Sequence, residues 1–196
     1  ERSTSRVVGR FDIDEAGLGF VAPFDRRLMM DVQIPDDERA EAEAGDMVTI
    51  AQPLDFLGVN YYTRNWMSST GEPAPMALGA TDMGWEIHPQ GLTELLVGLH
   101  REYALPPIFI TENGIACADA LQGGAVNDAG RIDYVRRHLE ALAAARAEGV
   151  DVRGYFYWSL LDNYEWDSGY DKRFGLVHVD YATQQRTLKD SAHWYR

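Results

Sequence analysis

The sequence predicts an α/β protein in which a small β-rich segment, residues 1–50, precedes alternating strands and helices over residues 51–196. In the first segment, short apolar runs recur about every ten residues between turn signals, which is typical of an antiparallel meander or small barrel. From residue 51, apolar runs of strand length alternate with helical periodicity, which indicates parallel strands joined by helices. The 196 residues cannot form a complete eight-unit β/α barrel, because that fold takes about 250 residues.

Charge and cysteine content exclude several kinds of site. Lys and Arg number 18 against 31 Asp and Glu, a net charge of −13, which argues against a broad nucleic-acid surface. The single cysteine, Cys117, excludes an internal disulfide and a cysteine-rich zinc site. The five histidines lack i,i+4 pairing, so we expect no metal and no cofactor. With neither an apolar signal segment nor a membrane-length apolar run, a cytoplasmic protein without a membrane partner is expected.

The β-rich segment is expected to contain four strands, and the second region three strands and two helices. The first four strands are expected at residues 6–11, 19–22, 31–34 and 46–50, with turns at 14–17, 23–25 and 35–37. Further along, strands are expected at 54–61, 107–111 and 152–160. Helices are expected at 89–104, with Leu92, Leu95, Leu96 and Leu99 on one side, and at 128–148, with Ile132, Val135, Leu139 and Leu142 buried. Asp128 is expected to cap the second helix, and Gly149 to end it.

Polar and aromatic residues follow each of the three later strands. These strand ends read VNYYT at 59–63, ITENG at 110–114 and YWSLLDNYEW at 157–166. Parallel strands present their carboxyl ends on one rim, so these side chains are expected to meet. A carboxylate directly after an apolar strand, as at Glu112, is costly unless it is hydrogen-bonded or functional. Carboxylates beside tryptophan rings suit sugars, and the pattern therefore indicates carbohydrate chemistry.

Four motifs together resemble family 1 glycoside hydrolases, the β-glucosidase family. ITENG at 110–114 resembles the nucleophile motif of that family, and DFLGVNYYT at 55–63 resembles its sixth strand. Residues 158–181 resemble its eighth strand and the loop that follows, and KDSAHWY at 189–195 resembles the start of its last helix. The resemblance runs from about residue 45 to residue 196. It implies a partial (β/α)8 (TIM) barrel, about the last three β/α units.

The resemblance also implies roles for individual residues. Glu112 is similar to the carboxylate that attacks the anomeric carbon and forms a glycosyl–enzyme intermediate, and Tyr62 to the tyrosine that hydrogen-bonds it. The implied sugar-binding residues are Asn60, Trp85, Trp158, Glu165, Trp166 and Phe174. Because Glu165 would repel a phosphate group, the resemblance favours unphosphorylated β-glucosides or β-galactosides over 6-phosphosugars.

The other half of the family's catalytic machinery has no counterpart in the sequence. Retaining hydrolysis needs a second carboxyl group about 5–5.5 Å from the nucleophile. The family carries this acid/base in an Asn-Glu-Pro motif, which this sequence lacks. Also missing are the family's early glycone-binding glutamine and its early histidine–tryptophan pair. The isolated chain is therefore expected to carry a nucleophile without a recognisable acid/base.

Residues 6–50 show a weaker resemblance to the cold-shock-like OB domain of ribonuclease R-type exonucleases. It rests on VVGRF at 7–11, GLGFV at 17–21 and DVQIP at 31–35. Such domains bind single strands by aromatic stacking and positive charge. Leu18 and Gln33 stand where aromatic residues are expected, and residues 1–50 contain 12 acidic against 6 basic residues. Nucleic-acid binding by this segment is therefore not expected.

Three functions remain open at this point. The first is a β-glucosidase-type polypeptide, active when a complementary chain or a second copy supplies the rest of the barrel. The second is a chimeric or fragment protein with at most sugar binding, and the third is a nucleic-acid-binding OB module in residues 1–50. Three parallel strands from an opened barrel leave an exposed edge and inner face. We therefore expect a complementary chain or a homo-oligomer to cover them.

Overall fold

The computed structural model describes residues 4–14, 19–23, 32–34, 41–53, 55–64 and 76–196. The chain divides into two compact units. One comprises Glu1–Asp55 with Ala104–Pro106, and the other comprises Phe56–Tyr103 with Pro107–Arg196. The chemistry-bearing motifs that follow the three later strands all lie in the second unit.

The first unit contains a four-stranded antiparallel sheet. Its strands are β1 (Thr4–Ile13), β2 (Gly19–Pro23), β3 (Val32–Ile34) and β4 (Met47–Pro53), in the order β3-β2-β1-β4. The four expected strands are thus present. Both β1 and β4 are longer than expected, because they pair continuously from Thr4 opposite Pro53 to Arg10 opposite Met47. Leu18 and most of the expected turns lie outside the described residues.

Three parallel strands form the centre of the second unit, which confirms the expected topology. They are β5 (Leu57–Asn60), β6 (Ile108–Asn113) and β7 (Val152–Tyr157), in the order β5-β6-β7. The expectation that β7 continues to residue 160 is wrong. Beyond Tyr157 the backbone N–H of Trp158 donates to the carbonyl of Asn113 and that of Ser159 to Phe174, so the chain leaves the strand there.

Helices connect these strands: α1 (Pro89–Glu102) and α2 (Ala129–Ala147). In α1, Leu92 and Leu96 are fully buried, but Leu95 is 39% exposed. The expected apolar side is therefore wrong at Leu95. Thr93 Oγ1 donates a hydrogen bond of 2.9 Å to the carbonyl of Ala141, which joins the two helices.

The buried face of α2 is more polar than the sequence pattern indicates. Val135 and Leu142 are buried as expected, whereas Ile132 and Leu139 are only half-buried. The side chains that are buried instead include Arg131, Tyr134 and His138. Asp128 stands at the N-cap position without a side-chain cap bond. Its carboxylate accepts hydrogen bonds from Arg131 and Ser191 instead, so the expected capping role is wrong.

The two faces of the sheet β5-β6-β7 differ. Tyr155 and Tyr157 pack against the cluster that includes Tyr134 and Val135 of α2. On the opposite face the ring of Phe109 lies over Gly154, where a Cβ atom would come within 2.3 Å of it. Side chains two residues apart on a strand share a face, and Phe156 on this same face is 58% exposed. This inner face thus exposes an apolar ring to solvent.

The chain ends in a hairpin of β8 (Val177–Val179) and β9 (Arg186–Leu188), followed by α3 (Asp190–Tyr195). Six charged residues, here called the buried ionic cluster, connect this region to α2 and to the loops after β6 and β7; they are Asp119, Asp128, Arg131, Asp162, Arg173 and Lys189. Three carboxylates meet three cations, so the cluster is electrically balanced. Among the described residues, no helix is long and apolar enough to cross a membrane.

Candidate active site

The ends of β5 and β6 bring a tyrosine and a glutamate together. The backbone N–H of Tyr61 donates to the carbonyl of Glu112 at 2.9 Å, which fixes the chain directly after β5. The hydroxyl of Tyr62 then donates to Glu112 Oε2 at 2.8 Å. Burial, together with the hydrogen bond and negative charge of Glu112, raises the pKa of Tyr62. The hydroxyl therefore stays protonated and remains the hydrogen-bond donor to the Glu112 carboxyl group.

A cavity of about 420 Å³ opens beside this pair. Its lining includes all but one of the sequence-predicted site residues: Tyr62, Trp85, Glu112, Trp158, Glu165, Trp166 and Phe174. Met83, Asp167 and Ser168 also line it, and sequence reasoning missed them. Each of the three lies within two residues of a predicted tryptophan in the sequence, and that proximity is the signal that could have identified them.

Aromatic rings form one wall of the cavity. The ring centroids of Tyr62 and Trp85 are 5.6 Å apart, and that of Phe174 lies 6.2 Å from each. These separations are within the range of favourable aromatic contacts. Phe174 is only 2% exposed, and its carbonyl accepts a hydrogen bond of 2.9 Å from the hydroxyl of Tyr157. The wall is therefore fixed to the end of β7.

A second carboxylate, Glu165, faces the same cavity. Burial raises the pKa of Glu165, the negative charge of Glu112 raises it further, and a hydrogen bond from the side chain of Trp158 opposes the shift. Glu165 begins a tight turn, in which its N–H donates to the carbonyl of Gly169 at 2.6 Å. Trp166 follows in the left-handed region at φ 40° and is 80% exposed. This turn presents a hydrogen-bonding carboxylate beside an open aromatic face.

Asn60 is the predicted site residue that lies outside the cavity lining. It stands opposite Glu112 in the register of β5 and β6. Its Oδ1 accepts a hydrogen bond of 2.7 Å from Thr111 Oγ1. Both residues are exposed on the open inner face of the sheet. A sugar-binding role for Asn60 therefore stays a prediction.

The described residues contain no group of three or more His, Cys, Asp or Glu side chains that could hold a metal ion. Burial raises the pKa of the Cys117 thiol to about 11, so this thiol is neutral and a poor nucleophile at neutral pH. The site thus combines a glutamate that accepts a hydrogen bond from a tyrosine, a second glutamate and an aromatic wall. This arrangement can form a bond to an electrophilic carbon of a ring that packs on the aromatic side chains.

Comparisons with known proteins find relatives of this chain in one family. The model of glycosyl hydrolase family 1 matches residues 26–196. The chain is 48% identical over 176 residues to the bifunctional beta-D-glucosidase/beta-D-fucosidase of Bifidobacterium breve, covering 78% of this chain and 38% of that relative. It is 46% identical over 157 residues to beta-glucosidase A of Thermotoga maritima, covering 76% and 35%. The chain thus spans little more than a third of the length of these relatives.

Solved structures show the same relationship. The GH1 beta-glucosidase from Exiguobacterium antarcticum B7 superposes with a TM-score of 0.68 at 47% identity, covering 74% of this chain and 34% of that one. The Thermotoga maritima beta-glucosidase in complex with castanospermine gives a TM-score of 0.69 at 46% identity, covering 72% and 33%. These neighbours support the expectation of a partial β/α barrel.

The family match extends further towards the N-terminus than the resemblance seen in the sequence, which starts at about residue 45. It begins at residue 26, so the matched range includes part of the β-rich segment expected at residues 1–50. Neither the family match nor these relatives and neighbours support the resemblance to a cold-shock-like domain. The family motifs at 55–63, 110–114 and 158–175 all lie within the match. The chain belongs to glycosyl hydrolase family 1.

Proposed function

We propose that this chain carries the nucleophile and the sugar-binding wall of a retaining β-glucosidase-type glycoside hydrolase. The observation that carries the proposal is the hydrogen bond from Tyr62 to Glu112 beside an aromatic cavity that also holds Glu165. Relatives named as beta-glucosidases support it, as does a structural neighbour in complex with castanospermine. The substrates proposed are unphosphorylated β-glucosides or β-galactosides.

Glu112 acts as the nucleophile in a two-step displacement. Tyr62 donates to Oε2, and Oε1 is the oxygen that attacks the anomeric carbon. The bond from that carbon to the leaving-group oxygen breaks, and this oxygen takes a proton from a general acid. The glycosyl ester is then attacked by a water molecule whose proton passes to the same group, now a base. The sugar is released and the Glu112 carboxylate is regenerated.

The remaining side chains bind the sugar. The rings of Trp85, Trp158 and Phe174 pack against its C–H faces, while Glu165 accepts hydrogen bonds from its hydroxyl groups. Asn60 and Trp166 complete the sugar-binding set. A phosphate at the sugar 6-position would meet the negative charge of Glu165, so phosphosugars are disfavoured.

Further β/α units supply the general acid/base in this proposal. The sequence has no Asn-Glu-Pro motif, and the inner face of the sheet exposes Phe156 (58%) and Phe56 (54%). A complementary chain, or a second copy of this one, covers this face, and a complementary chain also carries the acid/base. Light scattering tests the association: assembly that Phe156→Ser weakens is expected, and a stable monomer at working concentrations contradicts it.

The activity itself is tested with 2,4-dinitrophenyl 2-deoxy-2-fluoro-β-glucoside, whose leaving group needs no general acid. Wild-type chain is expected to release one equivalent of dinitrophenolate as the stable glycosyl ester forms. Glu112→Gln is expected to release none. Glu148→Gln, at a glutamate 58% exposed at the end of α2, is the matched control and should behave as wild type.

Two other results would favour the alternative functions over a glycoside hydrolase. Binding of castanospermine without any dinitrophenolate release indicates a fragment or chimeric protein that only binds sugars. Salt-dependent binding of single-stranded RNA would indicate the nucleic-acid module. A cytoplasmic location remains a prediction.

A further inference from the structure

Asn113, which follows the proposed nucleophile, has a side chain whose hydrogen-bonding groups are all occupied. It is fully buried. Its Nδ2 donates to the carbonyl of Tyr61 at 2.7 Å and to the hydroxyl of Tyr134 at 3.1 Å. Its Oδ1 accepts a hydrogen bond of 2.7 Å from the hydroxyl of Tyr155. One amide thus connects the end of β5, the helix α2 and the strand β7.

The contact with Tyr134 extends to the tyrosine that holds the nucleophile. The Tyr134 hydroxyl accepts a hydrogen bond from Asn113 and donates one of 3.3 Å to the carbonyl of Tyr62. Burial raises the pKa of Tyr134, so this hydroxyl stays protonated and able to donate. The carbonyls of Tyr61 and Tyr62 therefore both accept hydrogen bonds from this group, one directly from Asn113 and one from Tyr134.

Few side chains could replace Asn113 in this position. Asparagine offers two N–H donors and an acceptor on a short stem, whereas ionised aspartate has no donor and leucine has neither. Removing it would leave the Tyr61 carbonyl and the Tyr155 hydroxyl buried without a partner, which is costly. The backbone of Asn113 is fixed as well, because its carbonyl accepts the N–H of Trp158 at 2.9 Å.

We propose that Asn113 and Tyr134 are positioning residues that hold the segment Tyr61–Tyr62 so that the Tyr62 hydroxyl stays on Glu112. Neither residue lines the sugar cavity; they act through Tyr62. The proposal rests on the function proposed for Glu112, since holding Tyr62 matters for catalysis only if that carboxylate reacts. A displacement of the donor by a fraction of an ångström weakens a hydrogen bond and lowers the rate of the step it assists.

The test uses the ¹³C chemical shift of the Glu112 carboxyl carbon at neutral pH, which reports the hydrogen bond that the carboxylate accepts. The signal is assigned by its loss in Glu112→Gln, and Tyr62→Phe defines the shift when that bond is absent. Tyr134→Phe and Asn113→Leu are expected to move the signal in the same direction by at least half as much. In a variant that already carries Tyr62→Phe, Tyr134→Phe is expected to cause no further change in the chemical shift of the Glu112 carboxyl carbon.

Tyr155→Phe is the matched control. It also removes a buried tyrosine hydroxyl bonded to Asn113, but it leaves both Nδ2 bonds intact. It is expected to lower the melting temperature as Tyr134→Phe does, while leaving the Glu112 signal unmoved. The proposal is overturned if Tyr134→Phe leaves the signal at its wild-type position, or if Tyr155→Phe moves it as far. If Asn113→Leu does not fold, the comparison of the Glu112 signal in Tyr134→Phe and Tyr155→Phe decides the proposal without it.

Dinitrophenolate release separates this inference from the proposed function. Tyr134→Phe is expected to slow the release about tenfold, the usual effect of weakening one bond to a charged group, and Tyr155→Phe to leave it unchanged. If wild-type chain releases none, the proposed function fails, and the carboxyl signal still decides whether Asn113 and Tyr134 position Tyr62. If release occurs at the same rate in Tyr134→Phe, the positioning role fails and the proposed function stands.

Discussion

Lys189 Nζ lies 2.8 Å from Asp162 Oδ1, and neither side chain is exposed to solvent. The same ammonium group lies 2.5 Å from Asp119 Oδ2. Burial alone would raise the pKa of Asp162, but Lys189 and Arg173 outweigh it and lower that pKa below its ordinary value. Asp162 also accepts the backbone N–H of Gly175 and of Val179, so the buried ionic cluster fixes the loop that carries Phe174.

Lys189→Met should therefore destabilise the chain strongly. The substitution removes the buried cation that pairs with Asp119 and Asp162. Removing one partner of a buried ion pair lowers the free energy of unfolding by about 3–5 kcal/mol. Urea denaturation measures the loss in the free energy of unfolding. Arg136→Met is the control, because Arg136 is 45% exposed and pairs with Asp133 and Glu140 on the surface, where such a change costs about 1 kcal/mol or less. Equal losses in the two variants would refute the structural role of the cluster.

His138 should make stability depend on pH below neutrality. Burial lowers the pKa of His138 from 6.5 to about 4, so between these values the unfolded state takes up a proton that the folded state does not. Stability therefore falls as the pH decreases through this window, by up to about 3 kcal/mol. The measurement is the free energy of unfolding of wild type and His138→Phe at pH 7 and pH 4.5. A variant that loses as much stability as wild type on acidification would contradict the assignment.

Gly114 should tolerate no side chain. A Cβ atom there would lie 1.9 Å from the backbone oxygen of Trp158, so Gly114→Ala must displace Trp158 from the cavity wall. Weaker binding of castanospermine, measured by calorimetry, is expected together with a lower melting temperature. Gly130→Ala is the control, because a Cβ atom at Gly130 in α2 meets nothing within 4 Å, and it should stabilise the chain by about 0.5–1 kcal/mol. Unchanged castanospermine binding in Gly114→Ala would contradict the predicted displacement.

Glu165→Gln tests the sugar-binding role of the second carboxylate. Replacing a charged acceptor by a neutral one is expected to weaken castanospermine binding about tenfold, the usual effect for a hydrogen bond to a charged group. Glu140→Gln changes a glutamate that is 61% exposed on α2 and should bind as wild type does. Equal affinities for all three proteins would remove Glu165 from the binding set.

The sequence predicts the parallel strands and the Tyr62–Glu112 pair well, because each depends on a short local motif. The sequence pattern does not predict which side chains of α2 are buried. Hydrophobic periodicity places polar residues in solvent, whereas Arg131 and His138 are fully buried. The partners that make burial of Arg131 possible come from distant parts of the chain, such as Asp119 and Arg173. The role inferred for Asn113 was likewise hidden, because Tyr61, Tyr134 and Tyr155 reach it only through the folded sheet and helix.

The most direct test of the central claim is the site of covalent labelling. Wild-type chain is incubated with 2,4-dinitrophenyl 2-deoxy-2-fluoro-β-glucoside, digested and mapped by tandem mass spectrometry. One fluoroglucosyl group on Glu112, absent when castanospermine is present in excess, is the predicted result. Label on Glu165 or another residue, or no label at all, would contradict the assignment of Glu112 as the nucleophile.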